Sequence, residues 1–234
     1  MTHDEPTRNF RFTTAADYRK HLFENWPADW PRRENHAIQH DVSVEQYNSL
    51  SSLISNAASE TEIESFLRKN REILAMTIDM FSTGHHMSWV FPKEQIRPPS
   101  GPTGGLIPDY LLAGANSFGV EWFVLELKGA DKRAFTKRDK RTMLSGDANE
   151  GICQLLNYID RSSRDQAYLR DGLELIGFRE PRGILLIGNE KESGDAQVRD
   201  FKAAWNRTNP KLQIRSYDAL LRDVEGKLRD FKKI

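Results

Sequence analysis

The sequence contains little cysteine, no excess of either charge and no long hydrophobic run. Cys153 is the single cysteine among 234 residues, which excludes a disulfide within the chain and a zinc site built from cysteines. That composition fits a reducing compartment, so we expect a cytoplasmic protein. The 34 basic and 34 acidic residues cancel, so attraction for a polyanion has to come from a local patch. Apolar stretches are too short to span a membrane, and the first residues lack a secretory signal, so no membrane partner is expected.

The pattern of apolar residues predicts alternating helices and strands. The length suits one domain with a small appendage, and we place a separate N-terminal extension at 1–43 and the main domain at 44–234. Ser43 and Ser59 stand where N-caps of two helices are expected. Three strands, a helix, a strand, a helix, a strand and a helix follow. The continuously apolar 183–187 is typical of a strand covered on both faces.

Ionisable residues stand at the ends of two neighbouring predicted strands. The first strand, 106–112, contains Asp109, and the second, 120–128, ends in Glu126 and Lys128. Because side chains alternate along a strand, Glu126 and Lys128 point the same way, at the end of an otherwise apolar face. Carboxylates bind hard cations such as Mg²⁺, which activates water, and a lysine stabilises developing negative charge. This set is what metal-assisted phosphodiester hydrolysis needs.

Simpler interpretations of these residues stay open. Glu126 and Lys128 can form an ion pair on an edge strand without any chemistry, and Asp109 can be a turn residue after proline. Gln154 and Tyr158 are four residues apart and share one face of a predicted helix. There they can bind phosphate or orient the lysine, or simply lie on the surface.

A basic segment follows the second strand directly. Its positive residues, besides Lys128, are Lys132, Arg133, Lys137, Arg138, Lys140 and Arg141. Next to a hydrolytic site such a segment would hold a phosphate backbone without reading its sequence. Most charge runs are solvated loops, and that interpretation is the alternative.

Several short motifs in order carry a resemblance to a known family. Ile107-Pro-Asp, Glu126-Leu-Lys and Gln154-x-x-x-Tyr resemble the PD-(D/E)xK nuclease superfamily. The stretch 60–70, Trp122-Phe-Val-Leu-Glu-Leu-Lys and Gly183-Ile-Leu-Leu-Ile-Gly are similar, more narrowly, to the Shedu antiviral defence proteins. The resemblance covers about 44–220. It implies an α/β (α+β) fold, a restriction-endonuclease-like core with a mixed central sheet flanked by helices.

The resemblance also implies roles for individual residues. Asp109 and Glu126 would bind Mg²⁺, with Mn²⁺ as a substitute, and Lys128 would be the catalytic lysine. A preceding helix would add a carboxylate, for which we favour Glu60 and then Glu62, since Glu64 is expected to point outward. Gln154 would position the lysine or the substrate, and Tyr158 would contact nucleic acid.

The implied activity is that of a Mg²⁺-dependent endonuclease acting on DNA in anti-phage defence. The resemblance also suggests a homo-oligomer without a small-molecule cofactor. A catalytically silent module that binds nucleic acid or assembles through the same fold is the second hypothesis, and RNA remains an open substrate.

Overall fold

The computed structural model describes residues 15–80, 84–96, 106–190 and 195–234. Its α-helices there are α1 (Ala15–Glu24), α2 (Val44–Ser55), α3 (Glu60–Lys69), α4 (Arg71–Ala75), α5 (Gly146–Arg164), α6 (Ala196–Thr208) and α7 (Tyr217–Asp230). Its strands are β1 (Met87–Pro92), β2 (Tyr110–Asn116), β3 (Gly119–Leu127), β4 (Phe135–Arg138), β5 (Arg141–Leu144), β6 (Arg182–Leu186) and β7 (Leu212–Arg215). Short 3-10 turns cover Arg33–Asn35, Gln39–Asp41 and Met76–Met80, and a π-helical turn covers Tyr168–Gly172.

Five strands build one mixed sheet in the order β1-β2-β3-β6-β7. Strands β1, β2 and β3 are antiparallel neighbours, whereas β3, β6 and β7 run parallel. Parallel neighbours need a long crossover, and α5 and α6 supply the two crossovers. One end of the sheet therefore collects the carboxyl-terminal ends of β1, β3, β6 and β7 and the start of β2.

Helices cover both faces of the sheet, as the sequence predicted for a mixed α/β fold. On β3, Phe123, Leu125 and Leu127 belong to a core shared with α2, α3, α4 and α7. Trp122 and Val124 point the opposite way, into a core shared with α5 and α6. Full burial of such side chains contributes about 1.5–3 kcal/mol each. The predicted alternation along this strand is confirmed.

Serine caps fix the start of α2 and α3, where the sequence predicted them. Ser43 accepts a hydrogen bond from the backbone of Gln46, whose side chain accepts one in return from the backbone of Ser43. Ser59 and Glu62 form the same reciprocal capping box at α3. Each box satisfies two backbone N–H groups that the first helical turn leaves without partners.

Two details differ from the sequence prediction. The strand expected at 106–112 starts only at Tyr110, because Pro108 has no N–H group to donate to a neighbouring strand. The charged connection after β3 contains the β4–β5 hairpin, which forms a separate small sheet. Charged residues occupy both faces of that hairpin and hide the alternation by which strands are recognised.

The described part of the predicted N-terminal extension packs against β1. Trp26 and Trp30 meet Trp89 edge-on, with ring centroids 6.2 and 5.6 Å apart. The backbone N–H of Ala37 donates to the carbonyl of Ser88 at 2.9 Å. This segment is therefore in contact with the sheet, and its role as an interface stays a prediction. None of the helices in the described ranges has the length and hydrophobicity needed to cross a membrane.

Candidate active site

The strand register brings Asp109 and Glu126 together. Tyr110 pairs with Leu125 across β2 and β3, which places the preceding Asp109 opposite Glu126. The backbone N–H of Leu127 donates to Asp109 Oδ2 at 2.8 Å. Asp109 is 8% exposed and Glu126 is 4% exposed, so two acids face each other in a largely dehydrated place.

Glu126 is held in its protonated form over an unusually wide pH range. Burial raises the pKa of its carboxyl to about 8, the charge of Asp109 adds to this effect, and Lys128 opposes it. Glu126 Oε1 lies 3.4 Å from Lys128 Nζ. Glu126 Oε2 is buried without a hydrogen-bond partner among the described residues. A buried acceptor of this kind is costly unless something binds it.

Lys128 lies among three carboxylates, those of Glu60, Glu126 and Glu150. Its Nζ is 4.0 Å from Glu60 Oε2 and 4.0 Å from Glu150 Oε1, in addition to the contact with Glu126. Its backbone is fixed from both sides, because its N–H donates to the Leu186 carbonyl and the Tyr217 hydroxyl donates to its own carbonyl, both at 2.8 Å. The lysine is thus anchored where β3 leaves the sheet.

The structure separates the three glutamates of α3. Glu60 is the one near Lys128, and burial raises the pKa of its carboxyl although Lys128 lowers it. Glu62 is turned to Ser59, whose hydrogen bonds lower the pKa of that carboxyl. The prediction that Glu64 points outward is wrong. Its side chain is 23% exposed, less than the 44% of Glu60, because Glu64 Oε1 lies 3.3 Å from Lys93 Nζ.

Lys93 and Glu150 belong to the same group and were missed from the sequence. The ammonium of Lys93 donates to Asp109 Oδ1 and so neutralises the first predicted metal ligand. The sequence around Lys93, which follows an apolar strand, contains no signal for its contact with Asp109. Glu150 carried a usable signal, because it precedes Gln154 and Tyr158 by four and eight residues and so continues their helix face.

Tyr158 approaches the acids from α5, and Gln154 lies one turn before it on the same helix. The Tyr158 hydroxyl donates to the carbonyl of Ile107 at 3.3 Å, which ties the helix to the segment before Asp109. Burial raises the pKa of Tyr158, and the charges of Glu126 and Asp109 raise it further. Gln154 Oε1 is buried without a hydrogen-bond partner among the described residues. Contact of Tyr158 with nucleic acid stays a prediction.

Comparison with known protein families shows the family to which this chain belongs. Residues 57–221 match the family described as Shedu protein SduA, C-terminal, over more than half of the chain. The chain belongs to this Shedu family. Shedu is an anti-phage defence family, and the matched range contains Glu60, Lys93, Asp109, Glu126 and Lys128. None of the curated proteins matches the chain.

The basic segment of this Shedu chain is split between a hairpin and a cavity wall. Arg138, Lys140 and Arg141 are exposed at the β4–β5 turn. Lys137 forms an ion pair with Asp195, which neutralises its charge. Lys132 and Arg133 line a cavity of about 350 Å³, whose wall also contains the basic Lys202 and Arg215 and the acidic Asp131 and Glu190. The exposed cations of the segment that are not paired with Asp195 are therefore found in the connection that follows β3.

The donor types of the candidate site fit a hard cation, which prefers carboxylate oxygen. Among the described residues nothing hydrogen-bonds Glu126 Oε2, whereas Asp109 is engaged by Lys93 and by the Leu127 N–H. Within the part of the chain that the structure describes, no three His, Cys, Asp or Glu side chains stand as a ready metal cage. In the described arrangement, ammonium groups supply the positive charge that these acids require.

Proposed function

We propose that this Shedu family member is a divalent-cation-dependent nuclease that hydrolyses DNA phosphodiester bonds in anti-phage defence, on a PD-(D/E)xK core. One observation carries the proposal. A buried carboxyl, one oxygen of which (Glu126 Oε2) has no hydrogen-bond partner in the described parts of the chain, faces Asp109 and lies next to Lys128 at the end of a central strand. A buried acid pair with a lysine costs stability, and such a cost is commonly retained for function.

Each residue has a role that follows from its place. Asp109 and Glu126 would hold Mg²⁺ or Mn²⁺, with Glu60 as the helix carboxylate. The bound cation would supply an activated water and neutralise charge on the phosphate. Lys128 Nζ, within 4.0 Å of Glu60 and Glu126, would stabilise the charge that develops on the phosphate oxygens or orient the attacking water. Gln154, whose Oε1 is buried and has no hydrogen-bond partner within the described ranges, would help to orient that lysine or the substrate.

DNA would be held by charge rather than by sequence. Five exposed cations of the basic segment would contact phosphates: Lys132, which also pairs with Asp131, and Arg133, Arg138, Lys140 and Arg141. Neutral overall charge makes this local patch the source of attraction, so binding is expected to weaken steeply with added salt.

Cleavage assays with matched lysine variants test the proposal. Linear, circular and single-stranded DNA, and an RNA of the same sequence, are incubated with the protein in Mg²⁺ or in EDTA. Lys128→Ala is expected to lower cleavage about 100-fold or more, because one charge-stabilising donor is lost. Lys211→Ala removes an exposed lysine directly before β7, at the end of the sheet opposite the candidate site, and should cleave as wild type does. Equal rates for Lys128→Ala and wild type would refute the mechanism.

A silent nucleic-acid-binding module is the second candidate. It is favoured by one observation, the ion pair between Lys93 and Asp109, which leaves the acids neutralised by the chain's own cations. DNA binding that persists in EDTA, together with no Mn²⁺ binding in calorimetry, would select this function over the nuclease.

A further inference from the structure

Lys93 is fixed against Asp109 by its backbone as well as by its side chain. The β1–β2 pairing ends with Pro92 opposite Tyr110, and the N–H of Lys93 then donates to the carbonyl of Asp109 at 3.0 Å. Lys93 has a φ of 52°, in the left-handed region that non-glycine residues rarely adopt. The chain therefore turns sharply at Lys93, and the side chain returns to the carboxylate of Asp109.

The ammonium of Lys93 occupies an oxygen that a cation would need. It contacts Asp109 Oδ1, while Oδ2 is taken by the Leu127 N–H. On its other side, Lys93 Nζ lies 3.3 Å from Glu64 Oε1, which also pairs with Arg68 at 2.6 Å. A divalent cation at Asp109 would meet a like charge at contact distance, and such repulsion is strong where water is largely excluded.

We propose that Lys93 is a positioning residue that competes with the divalent cation for Asp109 Oδ1 and thereby sets the metal affinity of the site. The inference rests on the proposed function of Asp109 as a metal ligand. When the cation binds, the Lys93 ammonium leaves Oδ1 and keeps its second partner, Glu64. In the free protein Asp109 is thus paired with Lys93 and Glu126 with Lys128. A divalent cation can bind Asp109 Oδ1 only when the ion pair with Lys93 is broken.

Mn²⁺ binding in the absence of DNA tests this competition. Calorimetry would compare wild type with Lys93→Met and Lys93→Asn. Both substitutions remove the charge, and asparagine also suits the left-handed backbone. We expect both variants to bind Mn²⁺ about tenfold more tightly or better, since one opposing charge is lost. Lys93→Arg keeps the charge and should bind within about threefold of wild type.

Arg68→Met is the matched control, because it removes a cation from the same Glu64 without uncovering Asp109. It should change Mn²⁺ affinity by less than about threefold. Unchanged or weaker Mn²⁺ binding in both folded Lys93 variants overturns the inference and leaves the nuclease proposal intact. Absence of Mn²⁺ binding in every protein overturns the proposed function and this inference with it. If Lys93→Met fails to fold by circular dichroism, Lys93→Asn decides.

Discussion

Replacing Glu126 by glutamine is expected to change the pH dependence of stability of the metal-free protein. Burial and the charge of Asp109 raise the pKa of the Glu126 carboxyl from 4.5 to about 8. Below about pH 4.5 the group is protonated in both the folded and the unfolded chain, so it has no effect. Between the two pKa values only the unfolded chain ionises, and the folded protein therefore loses stability as pH rises. The loss is complete above about pH 8.

The magnitude follows from the difference between the two pKa values. A rise of about 3.5 in pKa, at about 1.36 kcal/mol per unit, corresponds to about 5 kcal/mol. That is a large part of the 5–15 kcal/mol by which a typical domain is stable, as a rough scale. Glutamine cannot ionise, so Glu126→Gln should gain about 5 kcal/mol relative to wild type between about pH 4.5 and about pH 8.5. Any constant cost of the substitution, such as the altered contact with Lys128, cancels in this comparison.

Urea unfolding in EDTA, followed by tryptophan fluorescence, measures the difference. Trp89 and Trp122 are buried and report on the sheet. Glu150→Gln is the control, because it removes an exposed carboxylate 4.0 Å from the same lysine; its curve should run parallel to that of wild type. Parallel curves for Glu126→Gln and wild type over the whole pH range would show that the folded protein does not suppress ionisation of Glu126. Added Mg²⁺ should stabilise wild type at about pH 8.5 more than Glu126→Gln, because only the glutamate gives a charged ligand.

Two further predictions, each with its own control variant, concern the packing around Gly188 and DNA binding by the basic segment. Gly188→Ala should cost about 3 kcal/mol in urea unfolding, because its φ is 69° and an added Cβ would lie 2.4 Å from the Lys132 carbonyl; Gly226→Ala, whose Cβ meets nothing within 4 Å, should be neutral or stabilising, and equal effects would contradict the reasoning. Removing Arg138 and Arg141 together should weaken DNA binding and lower its salt dependence by about two counterions, measured by fluorescence anisotropy at several salt concentrations. Lys137→Ala, which loses a cation already paired with an acid, should change that slope by less than one of the arginines does.

Much of the fold could be predicted because its signals are local. Each serine cap needs only a partner three residues away, and the alternation along β3 needs only its own nine residues. The continuous apolar run of β6 reveals burial on both faces without any knowledge of its neighbours. These predictions held because tertiary packing agreed with local preference.

The parts that could not be predicted depend on contacts between distant segments. Lys93 contacts Asp109 only because β1 pairs with β2 in one register, and no residue near Lys93 indicates that pairing. The β4–β5 hairpin escaped detection for a related reason. Its two strands bury little besides Phe135 and expose charges on both faces, so they lack the periodic signal of a half-buried strand.

The choice among the α3 glutamates shows how a local motif can decide a distant site. Ser59 begins the helix and binds Glu62 through both its hydroxyl, at 2.7 Å, and its backbone N–H, at 2.8 Å. A carboxylate used in this way is unavailable to a metal or a lysine on the sheet. Glu64 is held by its own ion pairs, which leaves Glu60, one residue after the cap, to face Lys128 at 4.0 Å. The capping box of Ser59 and Glu62 therefore favours Glu60 as the carboxylate of the site.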